Sequence, residues 1–324
     1  PVHWDVHGAG VMVSQGFHTN LIYHVFDGKN HQPVSEWWGK PGMMVDGKPL
    51  VVPPETVLFH RDKLQTLIPI LRQQLCPSES QVNPIHVVFP VHNGDIQLAV
   101  RHAQWLVQLC GSEKWKHPAT ISHDPSCNVL SLNQLTALLG QCFESVATFV
   151  YPRPPLPMYP AAANHAWQRT ALHMSKQDAP WFWLEADAPV LRRDWLAKLQ
   201  EEYERSGKLF LGPHVKGMRH SNGSMVYPPE APEIMRTAMR LRDQGAFDYT
   251  GAEEYMPYCH DGSRLIQHCW TILNDMPCEV GGGASPDHMT LEQARRWLRP
   301  GSVVYHRLKS SDLVNLLIEG KIKP

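Results

Sequence analysis

Residues 181–189 read Trp181-Phe-Trp-Leu-Glu185-Ala-Asp187-Ala-Pro189, an apolar run that passes directly into two carboxylates at alternate positions. Near-continuous hydrophobicity is what a strand buried on both faces needs. In extended chain Glu185 and Asp187 share one face, with Ala186 opposite. Two hard carboxylate oxygens at the end of such a strand suit Mg²⁺ or Mn²⁺, which prefer oxygen ligands and leave positions open for substrate phosphates. A second reading has Asp187 capping a helix over Leu191 to Tyr203, with Pro189 near its first turn. That reading accounts for Asp187 alone.

Upstream, Ile85 to Pro90 reads as a buried strand, and Asp95 to Leu109 as a helix with Ile96, Ala99, Ala103 and Leu106 on one face. A second strand is expected over His117 to Ser122 and a helix over Leu130 to Leu139. A third strand follows over Ser145 to Tyr151, then a helix over Asn164 to Lys176. This alternation predicts an α/β fold with a mainly parallel sheet. Ligands of such sheets sit beyond the carboxyl ends of the strands. Downstream come a strand at Leu209 to Gly212, a helix over Leu265 to Leu273 that Asp261 could cap, and an apolar strand from Gly301 that ends in His306. The first eighty residues differ. Val11-Met12-Val13 and Leu21-Ile22-Tyr23 are β-prone, Asp27-Gly28 and Asp46-Gly47 are turn dipeptides, and a helix is expected around Asp62 to Leu75. The chain thus divides into a β-rich region over 1–80, of unassigned role, and one large α/β domain over 81–324.

The 324 residues include 43% hydrophobic and 19% charged residues, enough apolar material for a sizeable core. Thirty basic against 31 acidic residues give a net charge of −1, which excludes a polycation but leaves room for a local basic patch. No apolar run approaches the roughly 20 residues of a membrane helix. The seven cysteines are scattered, with no C-x-x-C pair, so a zinc ribbon is excluded and a reducing, cytoplasmic setting is expected. The opening Pro-Val-His-Trp-Asp is neither an initiator nor a signal peptide, which suggests a start inside a longer product or after trimming. The eleven tryptophans are expected chiefly as core anchors. No phosphate-binding G-x-x-x-x-G-K-[ST] or G-x-G-x-x-G occurs, no H-E-x-x-H occurs, and Gly281-Gly282-Gly283 reads as a loop.

The strand ending in Glu185-Ala-Asp187 resembles the GT-A glycosyltransferases, whose D-x-D motif ends a central strand; here Glu replaces the first Asp. The flanking Trp-Phe-Trp-Leu and Pro-Val-Leu-Arg-Arg-Asp194-Trp195 resemble that superfamily too, over residues 83 to 310 or so. The resemblance implies a GT-A fold, a Rossmann-like, mostly parallel sheet with flanking helices. It also implies metal-dependent transfer of a sugar from a nucleotide diphosphate sugar, UDP-linked, to an acceptor hydroxyl. On this resemblance Glu185, Asp187 and His306 hold Mn²⁺ or Mg²⁺ on the diphosphate, and Arg307 and Lys309 meet the diphosphate. Pro90, Val91 and His92 neighbour the uridine, and Asp124 is a base- or ribose-binding acid. Asn222-Gly223-Ser224 lies in the acceptor-side loop. Asp261 becomes the base of an inverting transfer, although His260 stands where the family has Glu.

Trp-Leu-Glu-x-Asp-x-Pro, His-x-Gly-Ser-x-Leu-Ile-Gln and Tyr-His-Arg-x-Lys look similar to phage-type transferases, some of which glycosylate hydroxymethylated pyrimidines in DNA. That implies work in the cytoplasm of a bacterial or phage-infected cell. It also implies that Arg192, Arg193, Lys216, Arg219 and His220 face phosphates. A glycan, lipid or protein acceptor is the main alternative. A His/Asp metal-dependent hydrolase built on His260, Asp261, His268 and Asp187, and a sugar- or DNA-binding module without catalysis, complete the set.

Overall fold

Short β-prone runs near the amino end pair as their alternation asks. In the computed structural model, β1 (Val2–Trp4), β2 (Gly10–Gln15) and β3 (Thr19–His24) are antiparallel neighbours, and β6 (Val57–Phe59) adds in parallel to β3. The two strands that flank Asp46-Gly47, β4 (Met44–Val45) and β5 (Lys48–Pro49), pair antiparallel with Val45 opposite Lys48. Contacts divide the chain into two units, Pro1–Gln81 and Val82–Pro324. Described in full are residues 83–213, 220–241, 243–268, 288–306 and 309–323; before residue 60 and between 271 and 278 the description is of strand backbone. Asp27-Gly28, the helix expected near Asp62 to Leu75, Gly281-Gly282-Gly283, Lys216, Arg219 and Arg307 lie outside the described residues.

The second unit is built on β7 (His86–Val91), α1 (Ile96–Cys110), β8 (Trp115–His123), α2 (Val129–Cys142) and β9 (Phe143–Val150). The three strands are parallel neighbours. The chain then passes through α3 (Ala161–Met174) to β10 (Trp181–Trp183), which pairs in parallel with the other edge of β7. Helix α4 (Trp195–Ser206) leads to β11 (Phe210–Leu211), and β12 (Val226–Tyr227) and β13 (Cys259–His260) complete the sheet. The spatial order is β13-β11-β12-β10-β7-β8-β9, and only β12 opposes its neighbours. Strand order therefore reverses between β7 and β10, the crevice where open α/β sheets take their ligands.

Alternation along the strands sorts the two faces. Val87, Phe89, Val91, Ala119, Ile121 and Phe182 pack with Ile96, Ala103 and Leu106 of α1, Leu135 and Leu139 of α2, and Trp195 and Leu199 of α4. The opposite face is aromatic: Trp181 stacks on Tyr227 at 4.4 Å, and Trp167 of α3 stacks on Phe247 at 4.9 Å. Trp167, Trp181 and Trp195 are fully buried, which is the core-anchor role expected of them. Asn128 caps α2 by accepting from the Ser131 N–H, and Gly111, at φ +64°, ends α1.

Two expectations fail. The helix after Asp187 begins only at Trp195, with Asp194 rather than Asp187 at its N-cap position. The stretch from Leu265 to Leu273 is not helical: it holds β14 (Ile266–His268) and β15 (Thr271–Leu273), the latter paired with β16 (Met276–Cys278). Its periodicity was too short to separate helix from strand, and a distant partner decides. Helix α5 (Leu291–Trp297), started by a reciprocal Thr290–Gln293 capping box, precedes that partner, β17 (Val304–His306), which runs parallel to β14. Helix α6 (Asp312–Ile318) closes the described fold.

Candidate active site

The register of β10 on β7 sets Trp183 against Val88, and Glu185 and Asp187 follow the carboxyl end of β10 at the point where strand order reverses. They lie in a turn closed by the Ala188 N–H on the Glu185 carbonyl at 3.0 Å, not in the extended chain expected of them. The segment after them turns back along β17. Val190 bridges Val304 antiparallel, the Tyr305 N–H donates to the Pro189 carbonyl at 3.0 Å, and the Leu191 N–H donates to the Val303 carbonyl at 2.8 Å. This backbone clamp delivers His306 to the carboxylates. Its Nε2 lies 3.0 Å from Glu185 Oε2 and 3.7 Å from Asp187 Oδ1. One ligand atom from each of Glu185, Asp187 and His306 falls within 4.8 Å of the others. The Lys309 ammonium donates to Asp187 Oδ2. The donor chemistry fits a hard divalent cation: two carboxylates and one imidazole, from two distant segments, with the Lys309 ammonium opposing the carboxylate charge.

The carboxylates of this crevice do not titrate alike. Burial opposes ionisation of Glu185, but His306, Lys309 and the Trp183 indole N–H (3.1 Å) outweigh it and hold its pKa down to about 2. Asp95, at the start of α1, is pushed up to about 6 by burial and by the charges of Asp187 and Glu185, against the pull of His92. Its Oδ1 accepts the His92 N–H at 2.8 Å. Asp248 is raised by burial and by Glu185, with His220 opposing at 4.0 Å. Gly223 lies against the same carboxylate: a Cβ there would stand 3.1 Å from Glu185 Oε1 and 3.0 Å from the Phe247 ring.

Pro90 and Val91 close β7, His92 follows it and Asp124 follows β8, so all four stand at the carboxyl edge with Glu185 and Asp187. Val91 and Asp124 are buried, His92 is exposed, and Asp124 Oδ1 accepts the Ser126 N–H at 2.6 Å. Asp261 stands apart. It follows β13, which β11 and β12 separate from β10, about 14 Å away at the usual strand spacing. It also lies in a turn before β14 and does not open a helix. The hydrolase set does not assemble as one group: His260 pairs with Glu202 of α4 at 3.1 Å, whereas His268 touches His306. Of the basic residues expected to meet DNA, Arg192 is held by Asp194 and Arg193 by Glu113, while His220 is buried. Asp95 and Asp248 had no motif to announce them.

No protein-family model matches the chain, and no curated protein matches it. Among solved structures it is similar to the apo form of mouse xyloside xylosyltransferase 1, at 12% identity and TM-score 0.41 over 68% of this chain and 96% of that one. An active-site mutant of LgtC aligns at 10% identity and TM-score 0.45 over 73% and 96%. The apo bifunctional glycosyltransferase WbbM aligns at 10% identity and TM-score 0.40 over 73% and 49%. At these scores the reading of the site rests on this chain's own side chains.

Proposed function

We propose that the chain is a metal-dependent glycosyltransferase of GT-A type, taking a sugar from a nucleotide diphosphate sugar, UDP-linked, to an acceptor hydroxyl. The observation that carries this reading is the convergence of Glu185, Asp187 and His306 beside Lys309 at the crevice between β7 and β10. Glu185, Asp187 and His306 would hold Mn²⁺ or Mg²⁺, whose chemistry is to neutralise charge on a leaving diphosphate. Lys309 adds a cation at the same edge; Arg307 is assigned the same task from the sequence. Pro90, Val91, His92 and Asp124 line the nucleotide end, where a base and ribose need an apolar floor and one acid.

Asp248 is the carboxyl group we assign to the reacting side, in preference to Asp261. Desolvation and the charge of Glu185 raise its pKa above the usual carboxylate range, against the pull of His220. A carboxyl group tuned upward in this way can take a proton from an acceptor hydroxyl as transfer begins. The neighbouring Tyr249 is 61% exposed, and an exposed aromatic ring is the kind of surface on which a sugar acceptor packs. That exposed ring favours a glycan acceptor over hydroxymethylated DNA, and of the basic residues expected to face DNA, Arg192 is held by Asp194 and Arg193 by Glu113.

The test is to supply UDP-sugars with Mn²⁺ and measure UDP release, alone and with glycan acceptors or hydroxymethylated DNA. Release that needs Mn²⁺ and is lost in Asp187→Ala is expected. Full activity with unchanged metal dependence in that variant would sink the assignment. Transfer to hydroxymethylated DNA alone would return the acceptor to nucleic acid.

A further inference from the structure

The histidine at the end of β17 does not stand alone. Strands β14 and β17 pair in parallel with His268 directly opposite His306. Both residues are buried, at 2% and 5% exposure. The two rings lie 4.9 Å apart at 36°, and their Nδ1 atoms are 2.9 Å apart. Two ring nitrogens at that distance share one proton, so one Nδ1 donates and the other accepts.

The direction of that bond decides what the other end of His306 can do. Its Nε2 faces Glu185 and Asp187. An imidazole binds a cation through a lone pair, so a liganding Nε2 must carry no proton. In the neutral ring that places the proton on Nδ1, where an acceptor is required. His268 Nδ1 is that acceptor, provided its own proton sits on Nε2. We propose that His268 is a positioning residue: with a cation held between the carboxylates, His268 Nδ1 would accept the His306 Nδ1 proton and hold the ring plane so that Nε2 turns its lone pair to the ion, in place of the hydrogen bond it makes to Glu185 here. The inference rests on the metal reading of the proposed function. The usual partner of a metal-bound histidine is a carboxylate, carbonyl or water; here a second imidazole, set in register by strand pairing, takes that place.

Mn²⁺ binding followed by the electron paramagnetic resonance signal of the free ion tests this without recourse to turnover. His268→Leu removes the acceptor and is expected to weaken Mn²⁺ affinity by about 10- to 100-fold. His268→Asn sets a carbonyl oxygen where Nδ1 was and is expected to recover most of the loss. His268→Gln sets its oxygen one bond further out and should not. The nitrogen coupling of a bound imidazole in the Mn²⁺ spectrum should persist in the Asn variant and fade in the Leu variant. Wild-type affinity in the Leu variant, or an Asn variant no better than Gln, would overturn the inference and leave the metal reading standing. Absence of Mn²⁺ binding by the wild-type protein would overturn both. If the Leu variant fails to fold, the Asn–Gln comparison decides.

Discussion

His102 ties the acid stability of the fold to the geometry of the site. It lies on α1, 1% exposed, and its Nε2 accepts the Val190 N–H at 3.0 Å. Val190 is the residue that bridges β17, so this bond anchors the clamp that carries His306. Burial lowers the His102 pKa from 6.5 to about 3. A histidine whose folded pKa lies below its unfolded one is neutral in the fold and gains a proton on unfolding. Its contribution is therefore whole above about pH 6.5 and drains away as the pH falls toward about 3. Between about pH 8 and about pH 5 the loss is about 2 kcal/mol. His86, lowered to about 4 chiefly by burial, drains over much the same range, while Asp95, raised to about 6, works in the opposite direction. Replacing His102 isolates its share. In His102→Gln the side-chain oxygen can occupy the Nε2 position, accept from Val190 and never charge. Urea unfolding followed by tryptophan fluorescence at both pH values is the assay. The variant is expected to lose about 2 kcal/mol less than wild type on acidification. An identical loss in the two proteins would refute the assignment of a buried, neutral His102.

Gly223→Ala would press a methyl group against Glu185 and Phe247. A cost of about 1–3 kcal/mol in stability, with weaker Mn²⁺ binding by calorimetry, is expected; unchanged metal affinity would show that the carboxylate yields without consequence. Lys309→Met removes the ammonium from Asp187. UDP affinity should fall about tenfold while Mn²⁺ alone binds at least as well, and a variant that binds UDP normally would free Lys309 from the diphosphate. Asp248→Asn should lower turnover by about 10²- to 10⁴-fold with Mn²⁺ affinity kept. The parallel Asp261→Asn variant is the control, and the reverse ranking would restore Asp261 as the base.

Much of the fold was legible because its signals are local. The alternation of apolar strands with helices between Ile85 and Trp183 needs only periodicity, and the position of Glu185 and Asp187 after an apolar run was readable, although the two sit in a turn and not on one face of extended chain. An apolar strand ending in His306 was equally readable, although nothing local says that it meets Asp187. That meeting depends on the Val190–Val304 bridge, a pairing across more than a hundred residues. The same non-locality explains the miss at Leu265 to Leu273, where β14 takes its form from β17. Asp95 reads as the start of a helix and Asp248 as one acid in an irregular stretch. Burial and the field of Glu185 mark both out, and neither quantity is written in the neighbouring residues.

Calorimetric titration of UDP into the wild-type protein, with Mn²⁺ and then with chelator, and again into Asp187→Ala, bears on the metal-dependent nucleotide site itself. Binding that requires Mn²⁺ and disappears in the variant is expected. Equal affinity with and without the metal, or no binding of UDP in either condition, would contradict it.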